Sequence, residues 1–118
     1  MAHRILIVDD DVKTTGGLRR LFEHHEYDVQ EVNDSRMALD QARSFQPHVV
    51  ILDYLMPQLH GGDVAWQLAS DPMLKATKIV ICSAASRSEV ARALPPCRIP
   101  ILEKPVDFES LLRLVQTG

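Results

Sequence analysis

The sequence predicts a doubly wound α/β domain in which five parallel strands alternate with five helices. Two patterns predict it. Short apolar runs recur at regular intervals, and each gap between them carries apolar residues at helical spacing. Length bounds the answer: 118 residues, 46% hydrophobic and 25% charged, suit one core rather than two. A single domain over residues 1–118 is expected, with no repeat, linker or internal boundary.

The first strand is Ile5 to Val8, apolar throughout, as strands covered on both faces are. Leu18, Leu21 and Phe22 then share one face of a first helix. Gly16 and Gly17 fall inside that helix, where each costs about 1 kcal/mol of propensity relative to Ala. Close packing or a frayed helix start is the expected reason. Tyr27 to Val32 gives a mixed second strand, and Asp34 or Ser35 caps a second helix whose face is Ala38, Leu39 and Ala42. Pro47 breaks the chain before the third strand, Val49 to Leu52. Val64, Ala65 and Leu68 mark a third helix, with Trp66 and Met56 at positions suited to packing. Ile79 to Cys82 is the fourth strand. Val90, Ala91 and Leu94 form a short fourth helix that Pro95 and Pro96 stop. Ile99 to Leu102 is the fifth strand, and Pro100 within it, lacking a donor, assigns it to a sheet edge. Asp107 caps a last helix carrying Phe108, Leu111, Leu112 and Val115.

Composition excludes several functions. Thirteen Lys and Arg against 16 Asp and Glu give a net charge of −3, and the basic residues are scattered, so direct nucleic-acid contact is not expected. No apolar stretch approaches 18 residues, and no secretory signal opens the chain, so neither a membrane span nor secretion is expected. Cys82 and Cys97 have no metal-type spacing and read as free thiols in a reducing compartment. His3, His24, His25, His48 and His60 are adjacent or scattered rather than spaced as ligands, and read as solvated. No Gly-rich or Walker-type run follows the first strand, which weakens a nucleotide-binding reading.

The chemistry gathers at strand ends. In an open parallel sheet, ligands bind beyond the carboxyl ends of the strands, and there this sequence places Asp9, Asp10, Asp11, Asp53, Ser83 and Lys104. Clustered carboxylates raise one another's pKa unless a cation compensates, and Mg²⁺ is the hard ion that carboxylates and backbone oxygens suit. Asp10 and Asp53 are the expected direct ligands, with Asp9 binding directly or through water and Leu55 adding its backbone carbonyl. Asp11 reads as a helix cap or turn former. A Mg²⁺ beside Asp53 makes that carboxylate a candidate nucleophile toward phosphorus. Lys104 would pair with one phosphoryl oxygen and Ser83 would donate a hydrogen bond to another.

These residues, in the runs Ile5-Leu6-Ile7-Val8-Asp9-Asp10, Val49-Val50-Ile51-Leu52-Asp53-Tyr54-Leu55-Met56-Pro57, Gly61, Ile79-Val80-Ile81-Cys82-Ser83-Ala84 and Lys104-Pro105, resemble the receiver domains of two-component response regulators. The resemblance covers essentially the whole chain. It implies a flavodoxin-like fold with strand order 2-1-3-4-5, and phosphorylation of Asp53 by a histidine kinase or histidine phosphotransfer protein. It further implies Mg²⁺ organised by Asp9 and Asp10, a phosphoryl group held by Ser83 and Lys104, and slow self-catalysed dephosphorylation. A cytoplasmic monomer or weak dimer follows, with any output domain outside this chain. The apolar Leu55 and Ala85 offer no help to an attacking water, which favours a long-lived phosphoryl group. Ile101 replaces the family's usual aromatic, and with Glu103 and the Pro95-Pro96 pair it makes the fourth and fifth elements atypical.

Two other readings compete. Asp9-Asp10-Asp11-Val12 also resembles the first motif of haloacid-dehalogenase-type phosphatases, but the late acidic pair of that family is missing and Asp53 is left without a role. A receiver-like binding module without phosphotransfer is the second.

Overall fold

A computed structural model describes residues 3–117. The chain runs β1 (Arg4–Val8), α1 (Val12–His24), β2 (Asp28–Val32), a 3₁₀ turn (Ser35–Met37), α2 (Ala38–Phe45), β3 (Val49–Asp53) and α3 (Gly61–Ala69). A second 3₁₀ turn (Pro72–Leu74), β4 (Lys78–Ser83), α4 (Arg87–Ala93), β5 (Ile101–Glu103) and α5 (Phe108–Gln116) complete it. All four strand pairings are parallel, and the sheet order is β2-β1-β3-β4-β5. Order reverses between β1 and β3, so the ends of those two strands open onto the crevice where such sheets bind ligands.

Side-chain alternation along the central strands builds two cores. Leu6, Val8, Val50, Leu52, Ile79 and Ile81 face α2, α3 and α4 through Ala38, Ala42, Val64, Ala65, Leu68 and Val90. Ile5, Ile7, Val49, Ile51, Val80 and Cys82 face α1 and α5 through Phe22, Leu111 and Val115. Burial on both faces explains why β1, β3 and β4 read as unbroken apolar runs. Parity then carries to the ends of β3 and β4 and one residue past β1. Asp9 and Asp53 continue the row of Ile7 and Ile51, whereas Ser83 continues the row of Ile79 and Ile81 on the other face.

Several local expectations are corrected. The last strand starts at Ile101, so Ile99 and Pro100 precede it; the missing Pro100 donor is not needed, while its carbonyl accepts from Ile81 N at 2.9 Å. Asp34 caps the 3₁₀ turn through Arg36 N at 3.0 Å, and α2 itself has no side-chain cap. A Cβ placed on Gly16 or Gly17 meets nothing within 4 Å, so packing does not require either glycine, and both lie inside α1 rather than at a frayed start. Leu21, Ala91 and Trp66 are exposed rather than packed. Asp11 caps α1 through Lys13 N and Thr14 Oγ1, and Asp107 caps α5 through Ser110 N.

Candidate functional site

Asp9, Asp10 and Asp53 each present a carboxylate oxygen, and these oxygens all lie within 4.8 Å of one another. Asp9 and Asp53 are buried and Asp10 is exposed. The backbone fixes Asp9 first: its N–H donates to Val32 O at 3.0 Å, and its Oδ1 accepts from Asp11 N at 3.0 Å. Asp53 ends β3 in register with Cys82, and the loop after it closes through Gly61 N donating to Tyr54 O at 2.7 Å. Gly61 is required there. A Cβ on it would stand 2.5 Å from Asp53 O and 2.6 Å from Tyr54 Cα.

Lys104, just past β5, brings Nζ to 3.0 Å from Asp53 Oδ1 and 3.8 Å from Asp9 Oδ2. It is half exposed, and its backbone N–H donates to Ser83 O at 2.7 Å. Burial pushes both the Asp9 and the Asp53 carboxyl above the ordinary carboxylate value; the lysine opposes that shift in each without cancelling it. Burial lowers the Lys104 pKa, but its bond to Asp53 and the nearby Asp9 charge more than offset this, and the net shift is upward. One ammonium among three carboxylates leaves negative charge uncompensated. The donor set is all oxygen, so the arrangement fits a hard divalent cation.

The remaining predicted residues occupy different positions. Ser83 is fully buried at the end of β4, where its Oγ accepts from Ala85 N at 2.9 Å, a bond that uses an acceptor lone pair and leaves the hydroxyl proton for another partner. Leu55 follows Asp53 by two residues, is 48% exposed, and its carbonyl accepts no hydrogen bond among the described residues. Asp9, Asp53 and Lys104 line one cleft of about 560 Å³ with Thr14, Cys82 and Phe108; Ser83 is not on that wall, as its opposite parity requires. Cys82 and Thr14 had not been singled out in the sequence for this cleft. Parity was the signal for Cys82, which alternates with Ser83 and pairs with Asp53. Burial pushes its thiol up to about 11, so it adds no charge to the acidic cluster at neutral pH.

Fold and site together define a doubly wound α/β domain with an acidic, lysine-paired cleft at the carboxyl ends of its central strands. The family described as "Response regulator receiver domain" matches residues 5–116, and the chain belongs to that family. Response regulator MprA of Mycolicibacterium vanbaalenii is 38% identical over 116 residues, which cover 95% of this chain and 48% of that protein. MprA of Mycobacterium bovis is 36% identical over the same length. This chain thus spans about half the length of the curated relatives it matches. Chemotaxis protein CheY4 of Vibrio cholerae superposes with a TM-score of 0.87 at 23% identity, covering 99% of this chain and 98% of that one. The receiver domain of a Syntrophus aciditrophicus histidine kinase does so with 0.87 at 24%, covering 98% and 89%. These two likenesses show the fold, and the expected order 2-1-3-4-5 is the order observed. Membership in the receiver family leaves the phosphatase reading without support. Among the described residues, no helix is long and apolar enough to cross a membrane.

Proposed function

We propose that Asp53 accepts a phosphoryl group from a phosphohistidine carried by a histidine kinase or histidine phosphotransfer protein. A carboxylate oxygen of Asp53 bonds to phosphorus as the P–N bond to the imidazole breaks, and the nitrogen keeps the bonding pair. The observation that carries this reading is the convergence of Asp9, Asp10 and Asp53 with Lys104 Nζ 3.0 Å from Asp53. Asp9, Asp10, Asp53 and the Leu55 carbonyl would hold Mg²⁺, which when bound neutralises charge on the transferring oxygens. Lys104 exchanges its Asp53 contact for a phosphoryl oxygen, and Ser83 turns its hydroxyl proton toward another. Both contacts draw the loops after β4 and β5 toward Asp53, so a local charge change alters the surface.

The reading includes a cytoplasmic location, in line with the free Cys82 and Cys97, and a monomer or weak dimer as the working unit. It treats residues 1–118 as one receiver domain, with any output domain lying outside them. The test is intact mass after incubation with Mg²⁺ and acetyl phosphate. Wild type should gain one labile phosphoryl group that requires Mg²⁺, and Asp53→Ala should gain none. No gain in wild type overturns the proposal in favour of a binding module, and a gain that survives the substitution moves the acceptor to another residue.

A further inference from the structure

The segment that follows β2 touches both loops that carry the acidic cluster. Asn33 Nδ2 donates to the carbonyl oxygen of Asp9 at 2.8 Å and to Thr15 Oγ1 at 3.0 Å. Thr15 is fully buried in α1 and its hydroxyl donates a hydrogen bond to Glu31 Oε1 at 2.7 Å, so the carboxyl end of β1, the first turns of α1 and the end of β2 share one chain of hydrogen bonds. Two residues later, the buried Ser35 Oγ accepts from Leu59 N at 2.8 Å, and Leu59 lies in the loop that connects Asp53 to α3. One short turn thus holds the Asp9 loop with a donor and the Asp53 loop with an acceptor. Asp34 keeps that turn closed, accepting from Arg36 N and Arg36 Nε at 3.0 Å each.

We infer that Asn33 and Ser35 are positioning residues that set the spacing between Asp9-Asp10 and Asp53, and with it the affinity of the cluster for a divalent cation. The inference rests on the cation-binding reading above. Neither side chain belongs to the acidic cluster, so their effect passes through the backbone of the loops. Groups hydrogen-bonded directly to metal ligands change metal affinity by about 10- to 100-fold when removed; Asn33 and Ser35 act one step further back, through the loop backbone, and are assigned the low end of that range. Their loss should weaken binding while leaving the chemistry of a filled site intact.

The test is Mg²⁺ titration calorimetry on wild type, Asn33→Ala, Ser35→Ala and Ser35→Thr, paired with phosphorylation rates from acetyl phosphate across Mg²⁺ concentrations. Asn33→Ala and Ser35→Ala should each raise the Mg²⁺ Kd roughly tenfold, with rates at saturating Mg²⁺ within about twofold of wild type. Ser35→Thr keeps the acceptor oxygen and should restore the affinity; thermal melting shows which variants are folded, and Asn33→Ala carries the test if Ser35→Ala is not. A wild-type Kd in every alanine variant that folds overturns the inference, as does a rate that stays low at saturating Mg²⁺. A wild type that binds no Mg²⁺ overturns the cation reading itself, and the inference with it.

Discussion

Lys104 Nζ stands 3.0 Å from Asp53 Oδ1 and 3.8 Å from Asp9 Oδ2, so one ammonium serves two buried carboxylates that come from different strands. It competes for the same oxygens that a divalent cation needs. Removing it sharpens the repulsion among Asp9, Asp10 and Asp53 and leaves more negative charge for the ion. Lys104→Met should therefore bind Mg²⁺ about threefold to tenfold more tightly by calorimetry. Its phosphorylation at saturating Mg²⁺ should be slower by at least about tenfold, because the ammonium that would meet a phosphoryl oxygen beside the Mg²⁺ is then missing. Equal or weaker Mg²⁺ binding would show that the lysine acts on the acids by something other than charge.

The raised pKa values of Asp9 and Asp53 make a prediction about stability, because burial is the main cause in both. A carboxyl whose folded pKa exceeds its unfolded value favours folding when protonated. That contribution is complete below the unfolded pKa and is lost as pH rises through the folded one. Asp53→Asn removes the ionisation, so without Mg²⁺ it should melt above wild type at neutral pH. The gap should close as pH falls through the carboxylate range, and it should not widen further on the alkaline side. Adding Mg²⁺ should raise the wild-type melting temperature more than that of Asp53→Asn. A wild type that outlasts the variant at neutral pH without metal would mean that the Lys104 contact outweighs burial.

Gly61 tests how tightly the Asp53 loop is seated. The Cβ introduced by Gly61→Ala would overlap backbone atoms of Asp53 and Tyr54, which have no rotamer to change. Overpacking of this kind costs about 1–3 kcal/mol, and relief must come from moving Asp53 itself. Urea denaturation should register that loss, and the phosphorylation rate should fall with it. An unchanged midpoint would mean that the loop shifts freely, contrary to its 2.7 Å Gly61–Tyr54 hydrogen bond.

Strand positions and the acid residues were legible because burial on two faces writes long apolar runs, and the residues ending those runs stand at the ligand crevice. Strand order was not in the periodicity; it came with the family resemblance. What the sequence concealed depends on contacts between distant segments. Ser83 and Cys82 are neighbours in the chain, yet only alternation along β4 decides which of them faces the Asp53 cleft. Ser35 reads only as a candidate helix cap and Asn33 carries no signal of its own, because their partners Leu59 and Asp9 are each 24 residues away. Pro100 correctly marked the fifth strand as a sheet edge, but the apolar run Ile99 to Leu102 did not show that strand pairing begins only at Ile101.

Close packing or a frayed start was the expected reason for the glycines of α1, and the open space around them inside the helix reverses the effect of substitution that close packing would give. Neither has a positive φ, and a Cβ would meet nothing within 4 Å. Gly16→Ala and Gly17→Ala should each stabilise the fold by about 0.5–1 kcal/mol through reduced backbone entropy in the unfolded chain. Denaturant midpoints measure this directly. A destabilised variant would imply that α1 must yield at this point, and phosphorylation rates of the same variants would then show whether the yielding serves the site.

Trp66 offers a reporter for movement of α4. It is the sole tryptophan, 48% exposed on α3, and its indole Nε1 donates to the carbonyl of Ala93, the last residue of α4, at 3.1 Å. The two helices are close here, since a Cβ on Gly62 would lie 3.1 Å from Ala93 Cβ. The loop that begins at Ser83 leads directly into α4, so a Ser83 hydroxyl drawn to a phosphoryl oxygen pulls on the helix whose far end Trp66 contacts. Ile101, half-buried in the same core as Val90, provides an aliphatic surface for that shift in place of a rotating ring. Phosphorylation should therefore change Trp66 fluorescence in wild type, leave Asp53→Asn unchanged, and give a smaller change in Ser83→Ala at equal occupancy. An emission that stays constant in fully phosphorylated wild type would show that the carboxyl end of α4 holds its place, and would confine the conformational response to the loops.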